Sequence, residues 1–200
     1  MDRVLSHVIP NRDTYVNPAN PVDASWNVVV RHIATQVLPN GFDVVEKFAD
    51  APTTLEALTA YANEHGRLCI ASEDCEGTIF DCADTNLCLR AWHDSVHYRH
   101  QLAFNVAGEA AAVYIQAAQV FHLYGVTPRS IWWVQLLLAD ILGLVINFKM
   151  RGTYPKNKRA AAKYAKQWRD CAQRIGKAVS EAAPEDHEAA ALKLAVEDWG

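Results

Sequence analysis

The chain has 200 residues, half of them hydrophobic and 21% charged, with a formal net charge of −4. That composition belongs to a globular protein with enough apolar residues for a core, and it excludes a disordered chain and a wholly basic nucleic-acid binder. The charge is unevenly spread: Asp43 to Glu109 holds twelve acidic residues against four basic, whereas Lys149 to Arg169 holds eight basic residues and no acidic one. A local basic patch of this kind can meet a phosphate.

In chain order, residues 1–21 carry three prolines and read as an irregular N-terminal arm. The opening MDRVLSHVIPNRD lacks an apolar h-region and reads as mature protein. Val22 to Leu38 predicts a first helix stopped by Pro39-Asn40-Gly41, and Thr53 to His65 a second one closed by Gly66. Two short apolar runs around Glu73–Gly77 predict a small β-hairpin over residues 67–80. A helix capped by Asp84 or Thr85 then runs to about Gln101, another covers Asn105 to Tyr124, and an apolar one runs from Pro128 to about Arg151. A basic, alanine-rich helix over Lys158 to Val179 and an acidic one from Pro184 to Asp198 complete the chain. The expectation is a mostly α fold: a single-domain helical bundle of about six helices with one small hairpin, its chemistry on the central helices over 84–151 and two further helices over 158–198.

Five cysteines without a Cys-x-x-Cys knuckle suggest reduced thiols and a cytoplasmic setting. Ile131 to Phe148 is about long enough to span a membrane, but Gln135, Asp140 and Asn147 interrupt it. A helix buried on all sides explains the same pattern, so no membrane partner is expected.

The stretch Ala91-Trp92-His93-Asp94-Ser95-Val96-His97-Tyr98-Arg99-His100 holds three of the eight histidines. His93 and His97 stand one helical turn apart and can turn their ring nitrogens to one cation, while Asp94 projects about 100° round the helix from His93. Asp94 is either a ligand or a supporting group, and His100 is expected at the periphery. Each of the next two helices carries one acid in apolar surroundings, Glu109 and Asp140. A buried carboxylate needs a partner, and a shared cation or an ion pair to Arg90, Arg99 or Lys149 would supply it. The candidate metal set is therefore His93, Asp94, His97, Glu109 and Asp140, with Glu109 and Asp94 as candidate catalytic groups. Two imidazoles plus carboxylates suit a divalent transition metal (Mn, Zn, Co or Fe).

The basic run supplies Lys149, Arg151, Lys156, Lys158 and Arg159 as candidate phosphate contacts, with a solvated helix face as the alternative. Tyr154, Tyr164 and Trp168 interleave with these charges, which keeps nucleic-acid contact as a lesser expectation. Trp132-Trp133 on the long apolar helix leave room for a homodimer.

The His93-Asp94 doublet resembles the HD-domain metal phosphohydrolases, all-helical enzymes that often cleave nucleotides. The resemblance implies His93, Asp94 and Asp140 as ligands, with His65 or His32 in the place of the family's first histidine. The wider string RAWHDSVHYRH…FNVAGE, with ADILG and RGTYPKNKRA, resembles small tailed-phage proteins and would imply a phage-encoded chain acting in the host cytoplasm. His93 to His97 is also similar to the zincin motif, with Asp94 where zincins carry glutamate. Asp94-x-x-His97 resembles the half-motif of ferritin-like di-iron bundles. Three readings follow: a metal-dependent, HD-like hydrolase of a phosphorylated small molecule such as a nucleotide; a non-haem iron oxidase or oxygenase; or a non-enzymatic phage-type structural or host-interaction protein.

Overall fold

Asp23 begins the first helix, because its carboxylate accepts from the backbone N–H groups of Ser25 (2.9 Å) and Trp26 (3.2 Å) and so satisfies first-turn donors that the helix itself cannot. The computed structural model of the chain describes residues 5–7, 22–76, 78–152 and 158–200. Among them the fold is mostly α. Its helices are α1 (Ala24–Val37), α2 (Leu55–His65), α3 (Ala83–His100), α4 (Val106–Tyr124), α5 (Pro128–Arg151), α6 (Arg169–Glu181) and α7 (His187–Trp199). Three short strands accompany them: β1 (Leu5–His7), β2 (Phe42–Val45) and β3 (Cys69–Ala71).

The sheet corrects the hairpin expected over 67–80. β3 pairs in parallel with β2, in the register Asp43–Cys69, Val44–Ile70 and Val45–Ala71, and α2 makes the crossover. β1 pairs antiparallel with the other edge of β2, so part of the expected irregular arm is a strand; residues 1–4 and 8–21 lie outside the described residues. The hairpin fails for a local reason. The Arg90 guanidinium donates to the carbonyls of Ala71 (2.9 Å), Glu73 (2.8 Å) and Asp74 (3.2 Å), which ties the would-be turn to α3. All three residues of β3 are buried, as suits a parallel strand rather than one half of a surface hairpin.

The chain divides into two compact units, Met1–Phe104 and Asn105–Gly200. Gln101 ends α3 in the left-handed conformation (φ 54°), and the Asn105 side chain caps α4 by accepting from the Gly108 N–H at 2.9 Å.

In the first unit α1 packs on α3, with the Trp26 and Trp92 rings tilted against each other at 6.4 Å. A second cluster joins Phe42, Leu58, Leu68, Ile70, Leu87 and Ala91 between the sheet, α2 and α3. Between α1 and the start of α3 lies a buried polar bridge. Arg31 pairs with Asp81 at 3.3 Å and donates to Thr85, Thr85 donates to Asp81 at 2.6 Å, and the Asp81 N–H donates to the Asn27 side chain at 3.3 Å.

In the second unit the helix enclosed on every side is α4, not α5. Every residue from Ala110 to Phe121 is buried, and the five alanines in that run let α5, α6 and α7 come close. α5 is buried chiefly over its first two-thirds; its last turn, with Phe148, Lys149, Met150 and Arg151, is exposed. By length and apolarity α5 could cross a membrane, yet half of its most apolar window is packed inside the protein, as in a core helix. Gly176 of α6 packs closely: a Cβ there would stand 2.9 Å from Val126 Cγ1, and that side chain would have to shift. The expected helix over 158–179 is 3-10 from Lys158 to Trp168 and becomes α only at Arg169.

Candidate metal centre

His93 and His97 share a face of α3 as their spacing requires, and their Nε2 atoms are 3.0 Å apart. His97 is fully buried and His93 half-buried. His97 is held on three sides. Its Nδ1 lies 2.9 Å from the carbonyl of Leu102, Leu102 returns a backbone hydrogen bond to the His97 carbonyl (3.0 Å), and the Phe104 ring stacks on the imidazole at 4.4 Å. A carbonyl only accepts, so Nδ1 carries the proton and the Nε2 lone pair faces His93. This is the arrangement in which protein carbonyls fix the tautomer and direction of a metal-binding histidine. The left-handed Gln101 makes the clasp possible, because it turns the chain back over the last turn of α3.

Glu109 is half-buried in the first turn of α4, where its charge suits the positive end of the helix. His93 and His97 thus offer two ligand atoms that could hold a metal ion, and Asp94 is not grouped with them. Asp94 is on a different face of α3. Burial raises the pKa of the Cys69 thiol, a hydrogen bond from Tyr61 works against that rise, and the charges of Asp43 and Asp94 add to it. Asp94 lies about 100° round the helix from His93. Asp140 is buried in α5 with Leu138 and Leu142. Helical periodicity explains both departures: an acid next to a ligand in sequence lies off its face, and apolar neighbours place an acid in a core without placing it in a site.

The remaining candidates are scattered. His100 is half-buried near the end of α3. His65 is exposed and stacks on Tyr61 at 4.1 Å, and His32 is half-buried in α1. Lys149 and Arg151 are exposed at the end of α5, Lys158 and Arg159 belong to the 3-10 helix, and Lys156 lies outside the described residues. Arg90 and Arg99 bond to backbone carbonyls, Arg99 to that of Ser95 at 3.2 Å.

Two polar assemblies escaped the sequence. One is the Arg31–Asp81 bridge, whose partners lie far apart in the chain. The other lies in the second unit, where the Tyr114 hydroxyl donates to Asp198 (2.7 Å), accepts from the Trp199 indole (3.3 Å) and lies 3.1 Å from the Cys171 sulfur. Asp198 also pairs with Arg174 at 2.7 Å. Burial raises the pKa of both Tyr114 and Cys171, so this cluster keeps its protons and is suited to holding α4, α6 and α7 together rather than to nucleophilic attack. All five cysteines are free thiols, and burial pushes Cys88 up to about 12. The chain matches no family model, no curated protein and no solved structure.

Proposed function

We propose that the chain is a metal-dependent hydrolase of a phosphorylated small molecule, with His93 and His97 as ligands of a divalent transition metal. The observation that carries this reading is the 3.0 Å approach of two Nε2 atoms, one of them on an imidazole whose other nitrogen is tied to the Leu102 carbonyl. The Nε2 lone pair of His97 meets the ring nitrogen of an imidazole one turn away, and a cation shared by the two would satisfy it.

A divalent metal held by the two imidazoles would keep coordination positions open and would supply a water of lowered pKa as nucleophile. The residues have separate tasks. His97 is the fixed ligand, immobilised by Leu102 and Phe104. His93, half-buried, would be the ligand on the more accessible side. The phosphate part of the reading rests on the basic run from Lys149 to Arg169, which supplies cations and no acid.

A histidine pair also serves in non-haem iron oxygenases, so the metal decides between hydrolysis and oxidation. The test is metal analysis of the full chain purified without chelator, followed by p-nitrophenyl phosphate turnover with Zn, Mn, Co and Fe. Stoichiometric Zn, Mn or Co with phosphatase activity that EDTA abolishes supports the proposal. Iron with a near-ultraviolet charge-transfer band moves the assignment to oxidative chemistry. An absence of stoichiometric metal under all conditions removes both.

A further inference from the structure

Outside the histidine pair, the second unit contains a cavity of about 470 Å³. One wall is a stripe of α5 carrying Ile131, Trp132 and Gln135; the other carries Lys166 from the end of the 3-10 helix and Arg169 and Gln173 from α6. The spacing makes these true faces: 131, 132 and 135 fall on one side of a helix, as do 166, 169 and 173. The volume lies within the range of small-molecule sites.

The chemistry of the walls is specific. The indole of Trp132 and the side chain of Ile131 offer a flat apolar surface. Lys166 and Arg169 bring two positive charges to the rim, no carboxylate lines the cavity among the described residues, and neither cation makes an ion pair there. Gln135 is buried, 5% exposed, so its amide faces a lining rather than bulk water, and Gln173 offers a second amide across from it. A cation pair without acids, beside an indole face and two amides, selects a ring that carries a negative group: the ring lies on the indole, its polar edge meets the amides, and the anion meets the two cations.

We propose that this cavity is a binding site for a small planar organic anion, an aromatic ring bearing a phosphate or a carboxylate. The assignment does not depend on the metal centre, and its test is run in EDTA so that the two cannot be confused.

The probe is 8-anilinonaphthalene-1-sulfonate, a planar anion whose fluorescence rises in apolar sites, titrated into the folded full-length chain. Saturable one-to-one binding is expected. It should weaken at least tenfold in Lys166→Glu/Arg169→Glu, a pair of exposed positions where the fold tolerates change, and separately in Trp132→Ala. Competition then names the anion: displacement by adenosine monophosphate but not adenosine assigns a phosphate-bearing ring, and displacement by indole-3-acetate but not indole assigns a carboxylate. The proposal is overturned if the probe does not saturate a single site, if the charge-reversed variant binds it as the parent does, or if the neutral rings compete as well as the anions.

Discussion

The Nε2 atoms of His93 and His97 stand 3.0 Å apart on one face of α3; His97 is fully buried and anchored through Nδ1 to the Leu102 carbonyl, whereas His93 is half-buried. The two residues therefore differ in what their loss should do. His93→Ala removes a half-buried ligand and leaves the clasp intact, so metal content should fall below a tenth of the parent's while stability moves by about 1 kcal/mol or less. His97→Ala removes the ligand, the stacking on Phe104 and a buried hydrogen bond together, at a cost of about 3 kcal/mol. Metal content by plasma emission and urea unfolding of both variants check the pair of outcomes. Equal loss of stability in the two would mean that His93 is as structural as His97.

Arg31 and Asp81 form a bridge with side chains 12% and 2% exposed. Such a pair gives little net stability when intact but is costly to break, because the remaining charge stays buried. Asp81→Ala should destabilise the protein by about 3–5 kcal/mol. Replacing Arg31 and Asp81 together with Met and Leu should recover most of that loss, and a double-mutant cycle in urea measures the difference. If the single variant costs no more than the double one, the bridge carries no buried-charge penalty.

The helices were legible where caps and breakers are local. Gly66, Asn105, Gly125, Pro128 and Gly152 are all next to the ends they mark. The hairpin was misread because the partner of Cys69–Ala71 lies across α2, and a short apolar run does not say which strand it pairs with. The site was legible in part for the same reason. The spacing of His93 and His97 is a local fact and it held. Whether Asp94 and Asp140 join them depends on which way single side chains face, and the spacing puts Asp94 on another face of α3 from His93. The anchor of His97 was hidden altogether, since it is a backbone carbonyl exposed by the left-handed turn at Gln101.

Cys88 is fully buried, and that burial pushes its thiol up from 9.0 to about 12. Between these values the unfolded chain has lost the thiol proton and the folded chain has kept it, so the folded state binds more protons and stability falls as pH rises. The contribution is complete below pH 9 and declines by roughly 1.4 kcal/mol per pH unit above it. Cys69 and Cys171 are shifted in the same direction and steepen the decline. Urea midpoints taken from pH 8 to pH 11 should drop continuously, and Cys88→Ala should flatten the slope by about one proton. A slope unchanged in that variant would mean that Cys88 does not govern the alkaline response.

The hydroxyl of Tyr114, in the middle of α4, donates to Asp198 at the end of α7, and Asp198 also receives Arg174 of α6. Three helices of the second unit thus meet on one carboxylate close to the chain's end. Asp198→Ala leaves the buried Tyr114 hydroxyl without its acceptor and should cost about 1–3 kcal/mol. Tyr114→Phe in the same background should return part of that loss, because a buried hydroxyl deprived of its acceptor is worse than none. Hydrogen exchange then tests the direction of the effect: amides of α7 should lose protection first in Asp198→Ala, since this contact fastens the last turn. Uniform loss of protection across the second unit would instead make α7 an inseparable part of one cooperative core.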